Sequence, residues 1–219
     1  FNQLGLSEES LKILKGLKFD TPTPIQEKVI PVAINGSDIL GTAQTGSGKT
    51  ISYILPIVEK LRDNVNQKFL ILTPTRELAE QVFSVAKIFL GHGKPFKAIN
   101  LIGGKGIYSQ INQLKSNPQI VIGTPGRIND HLERKSLHLN NCSLVVLDEM
   151  DRMLDMGFGY QVDMILKFID KKRQMIMLSA TIPPQIQKVS IKYLNKPVKI
   201  SIKNNEVLET NIKQKITPV

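Results

Sequence analysis

The chain has 219 residues, 41% hydrophobic and 22% charged, with a formal net charge of +10 at pH 7. That length suits one sizeable core, and no apolar run approaches what a membrane-spanning helix needs. The positive balance favours a polyanionic partner such as nucleic acid, the absence of Trp argues against a surface of many base-stacking platforms, and a single Cys142 excludes an internal disulfide and fits a reducing compartment.

Residues 1–34 are helical in tendency, lack a strand, and are expected to cap a sheet. The opening FNQLGLS reads as a domain start with no targeting pattern. Beyond it, short apolar runs alternate with helical periods. Strands are expected at 37–43, 68–74, 98–103, 119–124, 143–147, 174–179 and 198–202. In TRELAEQVFSVAKIFLGHG, Leu78, Val82, Val85 and Phe89 share one helical face and Gly91 supplies a stop. Tyr160 to Ile169 behaves similarly through Val162, Ile165, Leu166 and Ile169. Cys142 precedes an apolar strand and reads as a small core residue. The polar tail after Ile202 reads as the start of a linker. The alternation predicts an α/β fold around a mostly parallel sheet, with functional residues just beyond the strands' carboxyl ends.

The run SDILGTA is followed by AQTGSGKT, residues 43–50. It has the form of a phosphate loop between a strand and a helix. Gly46 and Gly48 allow the backbone of Thr45 to Gly48 to wrap phosphate oxygens with inward N–H groups, and the next helix adds its positive end. Lys49 carries a charge to the β/γ-phosphates, and Thr50 offers a hydroxyl to Mg²⁺. The acidic run LDEMD, residues 147–151, follows a second buried strand. Asp148 there suits Mg²⁺ and Glu149 suits orientation and activation of a water, their crowding offset by a divalent ion and by Lys49.

Together these motifs resemble the first RecA-like domain of a DEAD-box RNA helicase, with Asp148-Glu149-Met150-Asp151 carrying Met in place of the family's Ala. The resemblance covers the entire chain. It implies a RecA-like P-loop domain with helices on both faces of the sheet, Met150 filling a core gap, and Lys49, Asp148 and Glu149 as catalytic groups. LKFDTPTPIQ is similar to the family's adenine-reading segment, where Gln26 would bond the adenine edge and Phe19 would pack on the ring; Phe1 stands at about the upstream distance of another aromatic, and Lys18 replaces the usual Gly. Ser179 and Thr181 of the SAT run are expected to bond Asp151 and couple hydrolysis to strand separation. PTRELA, from Pro74, Thr75 and Arg76, with Gly103-Gly104 and with TPGR, from Thr124, Pro125, Gly126 and Arg127, resembles the family's RNA-contact motifs. Arg76 and Arg127 could pair with phosphates or brace the loops. Such contacts read backbone and sugar, with little sequence preference.

The resemblance further implies ATP and Mg²⁺ as cofactors, RNA as partner, a cytoplasmic setting away from membranes, and a full-length ATP-dependent RNA helicase that couples hydrolysis to local duplex unwinding. It divides the chain into a cap at 1–34, an ATP-binding domain at 35–205 and a linker start at 206–219. A second RecA-like domain is expected outside this chain, so that the piece alone is monomeric and nearly inactive. Two alternatives stay open: an ATP-gated RNA clamp with little turnover, and a DNA-directed motor of the same superfamily. GGKGIYS is rejected as a dinucleotide fingerprint because Ser replaces the third Gly. His92, His131 and His138 form no metal spacing and are expected at the surface.

Overall fold

A computed structural model describes residues 1–91 and 96–202. His92 and the expected linker at 206–219 lie outside the described residues. The elements run α1 (Glu8–Gly16), α2 (Pro24–Ile34), β1 (Ile39–Thr42), α3 (Lys49–Asp63), β2 (Lys68–Leu72), α4 (Arg76–Leu90), β3 (Ala98–Leu101), α5 (Ile107–Leu114), β4 (Ile120–Gly123), α6 (Pro125–Glu133), β5 (Cys142–Leu147), α7 (Met150–Asp155), α8 (Gly159–Lys167), β6 (Gln174–Ser179), α9 (Pro184–Tyr193) and β7 (Val198–Ser201). Local chemistry explains several boundaries. Ser7 caps α1 by accepting from Ser10 N, and Glu8 and Glu9 occupy its first turn. Thr75 caps α4 by accepting from Leu78 N, and Gly91 ends that helix at φ 72°. Pro24, Pro125 and Pro184 open their helices, where a missing N–H costs nothing.

The strands form one sheet in the order β3-β4-β2-β5-β6-β1-β7, and every pairing is parallel. Its residues alternate between two apolar layers. Ile39, Phe69, Ile71, Leu144, Val146, Ile176 and Leu178 pack with α1 to α4 on one face. Leu40, Leu70, Leu72, Val145, Leu147, Met175 and Met177 pack with α6 to α9 on the other. Both faces are therefore dry, as parallel crossovers require. The expected strands all appear, mostly a residue or two shorter, because their terminal residues turn into loops at the sheet's carboxyl edge.

Two carboxylates tie neighbouring elements of the frame together. Glu59 Oε1 on α3 accepts from Ser7 Oγ, Ser10 Oγ and Arg62, at 3.0, 2.5 and 2.9 Å, and so pins α1 to α3. Asp38, ahead of β1, accepts from Met175 N at 2.8 Å and Asn195 N at 2.7 Å, joining the starts of β6 and β7. Cys142 is buried and its thiol is pushed up to about 12 by burial, the state of an inert core residue. The histidine expectation needs correction at His131, which is fully buried, because α6 turns its imidazole inward against polar partners.

Gly123 at the end of β4 lies opposite Leu101 of β3. A β-carbon there would stand 2.3 Å from the Leu101 carbonyl oxygen, and backbone cannot step aside cheaply. Gly123→Ala is expected to destabilise the chain by about 1–3 kcal/mol. A urea unfolding midpoint that drops with an unchanged slope is the expected result; an unchanged midpoint would show that β3 and β4 can part freely.

Candidate functional site

The strand order decides what meets what. β1, β6 and β5 are consecutive, so the loops after them, carrying the phosphate loop, SAT and DEMD, are neighbours at one edge. β3, β4 and β2 are consecutive on the other half, so the Gly103-Gly104, TPGR and PTRELA loops are neighbours too. Both groups lie at the carboxyl ends of the strands, where open α/β sheets place their ligands.

In the phosphate loop, Gly46 and Gly48 hold φ 81° and 90°, the left-handed region that glycine enters without cost. Gly48 caps α3, so Lys49 and Thr50 open that helix. Thr45 is exposed, and Ser47 makes a tight turn by donating Oγ to Gln44 O at 2.7 Å. Lys49 is buried, and its Nζ donates to Ala43 O at 2.9 Å. An ammonium has three donors, so two remain for phosphate oxygens.

Gln26 is buried and its amide joins two segments. Oε1 accepts from Thr23 N at 2.9 Å, and Nε2 donates to Gly48 O at 3.2 Å. A β-carbon on Gly48 would lie 2.5 Å from that Nε2. The expected adenine reader is thus wired directly to the phosphate loop. Phe19 is 43% exposed, which leaves a ring face free to stack. Phe1 instead packs against the core beside α1 to α4. Lys18, where the family carries Gly, holds φ 61°. That left-handed conformation, which glycine would adopt freely, costs a lysine about 1–2 kcal/mol.

At the acidic motif, Asp148 is buried and its Oδ2 accepts from Tyr53 OH at 2.7 Å. Its Oδ1 is buried with no hydrogen-bond partner. Burial pushes the Asp148 carboxyl up, opposed by the Tyr53 bond and by Lys49. Burial also raises Tyr53 well above its ordinary value, with Asp148 adding and Thr50 opposing. The Tyr53 hydroxyl thus bonds Asp148, one of the two residues expected to hold a metal. An orphaned, buried carboxylate oxygen beyond the end of β5 fits a hard cation shared with phosphate oxygens. Glu149 leaves β5 in the left-handed region, at φ 51°, and pairs with Arg152 at 3.4 Å. For a non-glycine residue that conformation costs about 1–3 kcal/mol and is characteristic of functional turns. Met150 is buried in the second apolar layer, as a gap filler would be.

Asp151 reaches the SAT loop. Its Oδ2 accepts from Ala180 N, Thr181 N and Thr181 Oγ1 at 3.1, 3.1 and 3.2 Å. Ser179 does not share this contact, contrary to expectation. It ends β6 inside the sheet, its hydroxyl buried without a partner, and the Ala180 amide takes its place.

The second group of loops surrounds a cleft of about 500 Å³ lined by Pro74, Thr75, Arg76, Gly103, Thr124 and Arg127 among others. Pro125 and Gly126 open α6 beside it. Arg76 lies against the two glycines: β-carbons at 103 and 104 would stand 2.9 and 2.7 Å from its guanidinium nitrogens. The absence of side chains there is what admits the arginine, and Gly104 also holds φ 81°. Arg127 turns inward as a brace. Its Nη1 donates to Lys105 O at 2.9 Å and Gln110 Oε1 at 3.0 Å, and its Nε pairs with Asp130 at 3.4 Å.

Sequence reasoning missed Tyr53, Gln110, Met156 and Phe158. Tyr53 had a readable signal, lying one helical turn beyond Lys49 on the same face. Met156 and Phe158 line the cleft from the segment after α7. Gln110 carried no signal, because one amide in a polar helix looks like surface.

A family model described as DEAD/DEAH box helicase matches residues 23–189. The chain is 41% identical over 215 residues to the DEAD-box ATP-dependent RNA helicase CshA of Geobacillus kaustophilus, covering 98% of this chain and 46% of that protein. It is 41% identical over 216 residues to the DEAD-box ATP-dependent RNA helicase RhpA of Helicobacter pylori, covering 98% and 44%. The chain thus spans less than half the length of these relatives. The crystal structure of a DEAD box protein from the hyperthermophile Methanococcus jannaschii superimposes with a TM-score of 0.90 at 42% identity, over 95% of this chain and 57% of that one.

Tyr53→Phe removes the hydroxyl that donates to Asp148. A hydrogen bond to a charged group is worth about 1.5–3 kcal/mol, so Mg²⁺-dependent nucleotide binding is expected to weaken by roughly tenfold or more. The Tyr53 bond lowers the Asp148 pKa, so its loss moves that pKa further up, and binding should then fail at a higher pH on acidification. Calorimetric titrations at several pH values would read both effects; unchanged affinity and pH dependence would remove Tyr53 from the site.

Proposed function

The chain belongs to the DEAD/DEAH box helicase family, and on that premise we propose that it is the ATP-binding domain of an ATP-dependent RNA helicase. The observation that carries this is the shared carboxyl edge of the sheet. Phosphate loop, DEMD and SAT adjoin on β1, β5 and β6, and the cleft formed after β2, β3 and β4 opens on the same side. A nucleotide and a nucleic-acid strand can then be held by one rigid layer.

In this reading, Phe19 stacks on the adenine and Gln26 bonds its edge. Thr45 to Gly48 present main-chain amides to the phosphates, and Lys49 offers its remaining donors to the terminal ones. Thr50 and Asp148 would hold Mg²⁺, which neutralises phosphate charge when bound. Glu149 orients a water and takes up its proton. Asp151, held by Ala180 and Thr181, carries any shift of the acidic turn into the SAT loop. In the cleft, Arg76 and the amides near Thr75, Gly104 and Thr124 to Gly126 would meet phosphates and sugars of a single RNA strand, with Arg127 stiffening the wall. Contacts of that kind favour RNA through its 2′-hydroxyl while reading little sequence.

Residues 1–34 and the sheet domain act as one unit in this scheme, in the cytoplasm, with a second RecA-like domain completing both sites and opening the duplex. Among the described residues no helix is long and apolar enough to cross a membrane.

Nucleotide binding should raise the melting temperature of the chain with ATP and Mg²⁺ present, and Lys49→Ala should abolish the rise. Equal shifts in both proteins would mean the nucleotide site is misplaced. In the longer protein, Glu149→Gln should retain ATP binding yet slow RNA-stimulated hydrolysis by about 10²–10⁴-fold; a rate within a fewfold of the parent would exclude Glu149 as the base.

A further inference from the structure

We propose that Gln110 is a positioning residue that sets the cleft from behind, locking the Gly103-Gly104 loop to the first turns of α6, a role that rests on the reading of the cleft as the RNA site. Gln110 is the buried residue of α5, only 2% exposed although it is an amide. Its Nε2 donates to Ile102 O, just before the two glycines, at 2.9 Å. Its Oε1 faces two groups of α6, Arg127 Nη1 at 3.0 Å and His131 Nε2 at 2.9 Å.

The chemistry permits one arrangement. The Ile102 carbonyl needs a donor, so the amide NH₂ must face it, and Oε1 must then accept from both Arg127 and His131. A flipped amide would set NH₂ against a guanidinium and a carbonyl against a carbonyl. His131 therefore carries its proton on Nε2, while Nδ1 lies 2.8 Å from Ser136 Oγ. The charged groups around the imidazole are Arg127, Asp130 and Arg134. Burial and Arg127 drive His131 down to about 4 against the opposing pull of Asp130, so it stays neutral and keeps this tautomer.

The loop is then held at two points. Gln110 grips the Ile102 carbonyl, and Arg127 Nη1 grips the Lys105 carbonyl. Gly103 and Gly104 lie between them, beneath Arg76. An outer ion pair, Lys105 Nζ to Glu80 at 2.9 Å, ties the same loop to α4. The other two wall segments of the cleft thus converge on the four residues Ile102 to Lys105, and Gln110 is their buried anchor. A side chain that only filled space there would need no amide.

The experiment measures binding of a labelled single-stranded RNA and of ATP to the chain carrying Gln110→Leu, Gln110→Glu or Arg76→Ala. Gln110→Leu keeps the volume and is expected to weaken RNA binding by about tenfold with ATP affinity unchanged. Gln110→Glu keeps an acceptor for Arg127 and His131 but sets a carboxylate oxygen against the Ile102 carbonyl, so RNA binding should stay weakened. Its carboxylate should raise the His131 pKa toward the ordinary range, which imidazole NMR would read. RNA affinity of that variant should then vary with pH between about 5 and 7, where the parent's does not. The proposal is overturned if Gln110→Leu binds RNA like the parent, or if RNA and ATP binding fall together with the melting temperature. Arg76→Ala separates the two failures: if it too leaves RNA binding intact, the cleft is not the RNA site; if it alone cripples binding, only the role of Gln110 is wrong.

Discussion

The parallel order of the strands is the constraint from which the rest of the molecule follows. A parallel pair cannot be joined by a tight turn, so each connection crosses the sheet through a helix and every strand delivers its carboxyl end to the same edge. Because β6 lies between β5 and β1, the SAT loop is placed between the acidic motif and the phosphate loop without any long excursion of chain. The same rule gathers the loops after β2, β3 and β4 into a second site. Chemistry on six separated stretches becomes a single working edge through backbone pairing alone.

That edge carries groups which would be unfavourable elsewhere. Asp148 is buried with an oxygen lacking a partner, Lys49 is buried with its ammonium donating to the Ala43 carbonyl, and Glu149 holds a backbone conformation that disfavours side chains. Buried charge without full pairing costs stability, and the dry layers on both faces of the sheet offset it. The cost is concentrated where a polyphosphate and its cation would satisfy every group at once. By contrast, the polar groups that hold the frame are fully engaged: Asp38 at the opposite edge accepts two amides, and Glu59 accepts three donors.

How much of this was legible in the sequence varies with the physics involved. The strands were readable because a strand dry on both faces must be apolar throughout, and the loops because glycine and lysine at fixed spacing have few other uses. The buried position of Met150 followed from its own apolar, flexible side chain, despite charged neighbours on both sides. Ser179 was misread because a strand's last residue belongs to the sheet, and its hydroxyl turns with the pleat, which spacing does not reveal. His131 was misread since a histidine in a polar helix betrays nothing about a glutamine twenty-one positions earlier. Arg127 had two readings, and only the position of Gln110 and the Lys105 carbonyl selects bracing. Local pattern predicts elements; pairs of polar groups from distant elements need the fold.

If Gln26 reads the base as proposed, its link to Gly48 ties base identity to phosphate grip. The amide that would discriminate a purine edge already holds the carbonyl at the mouth of α3, so a wrong base would disturb the very loop that must close on its triphosphate. Selectivity of that kind would be expressed as loss of grip and not merely as poor stacking, and would need no separate proofreading element.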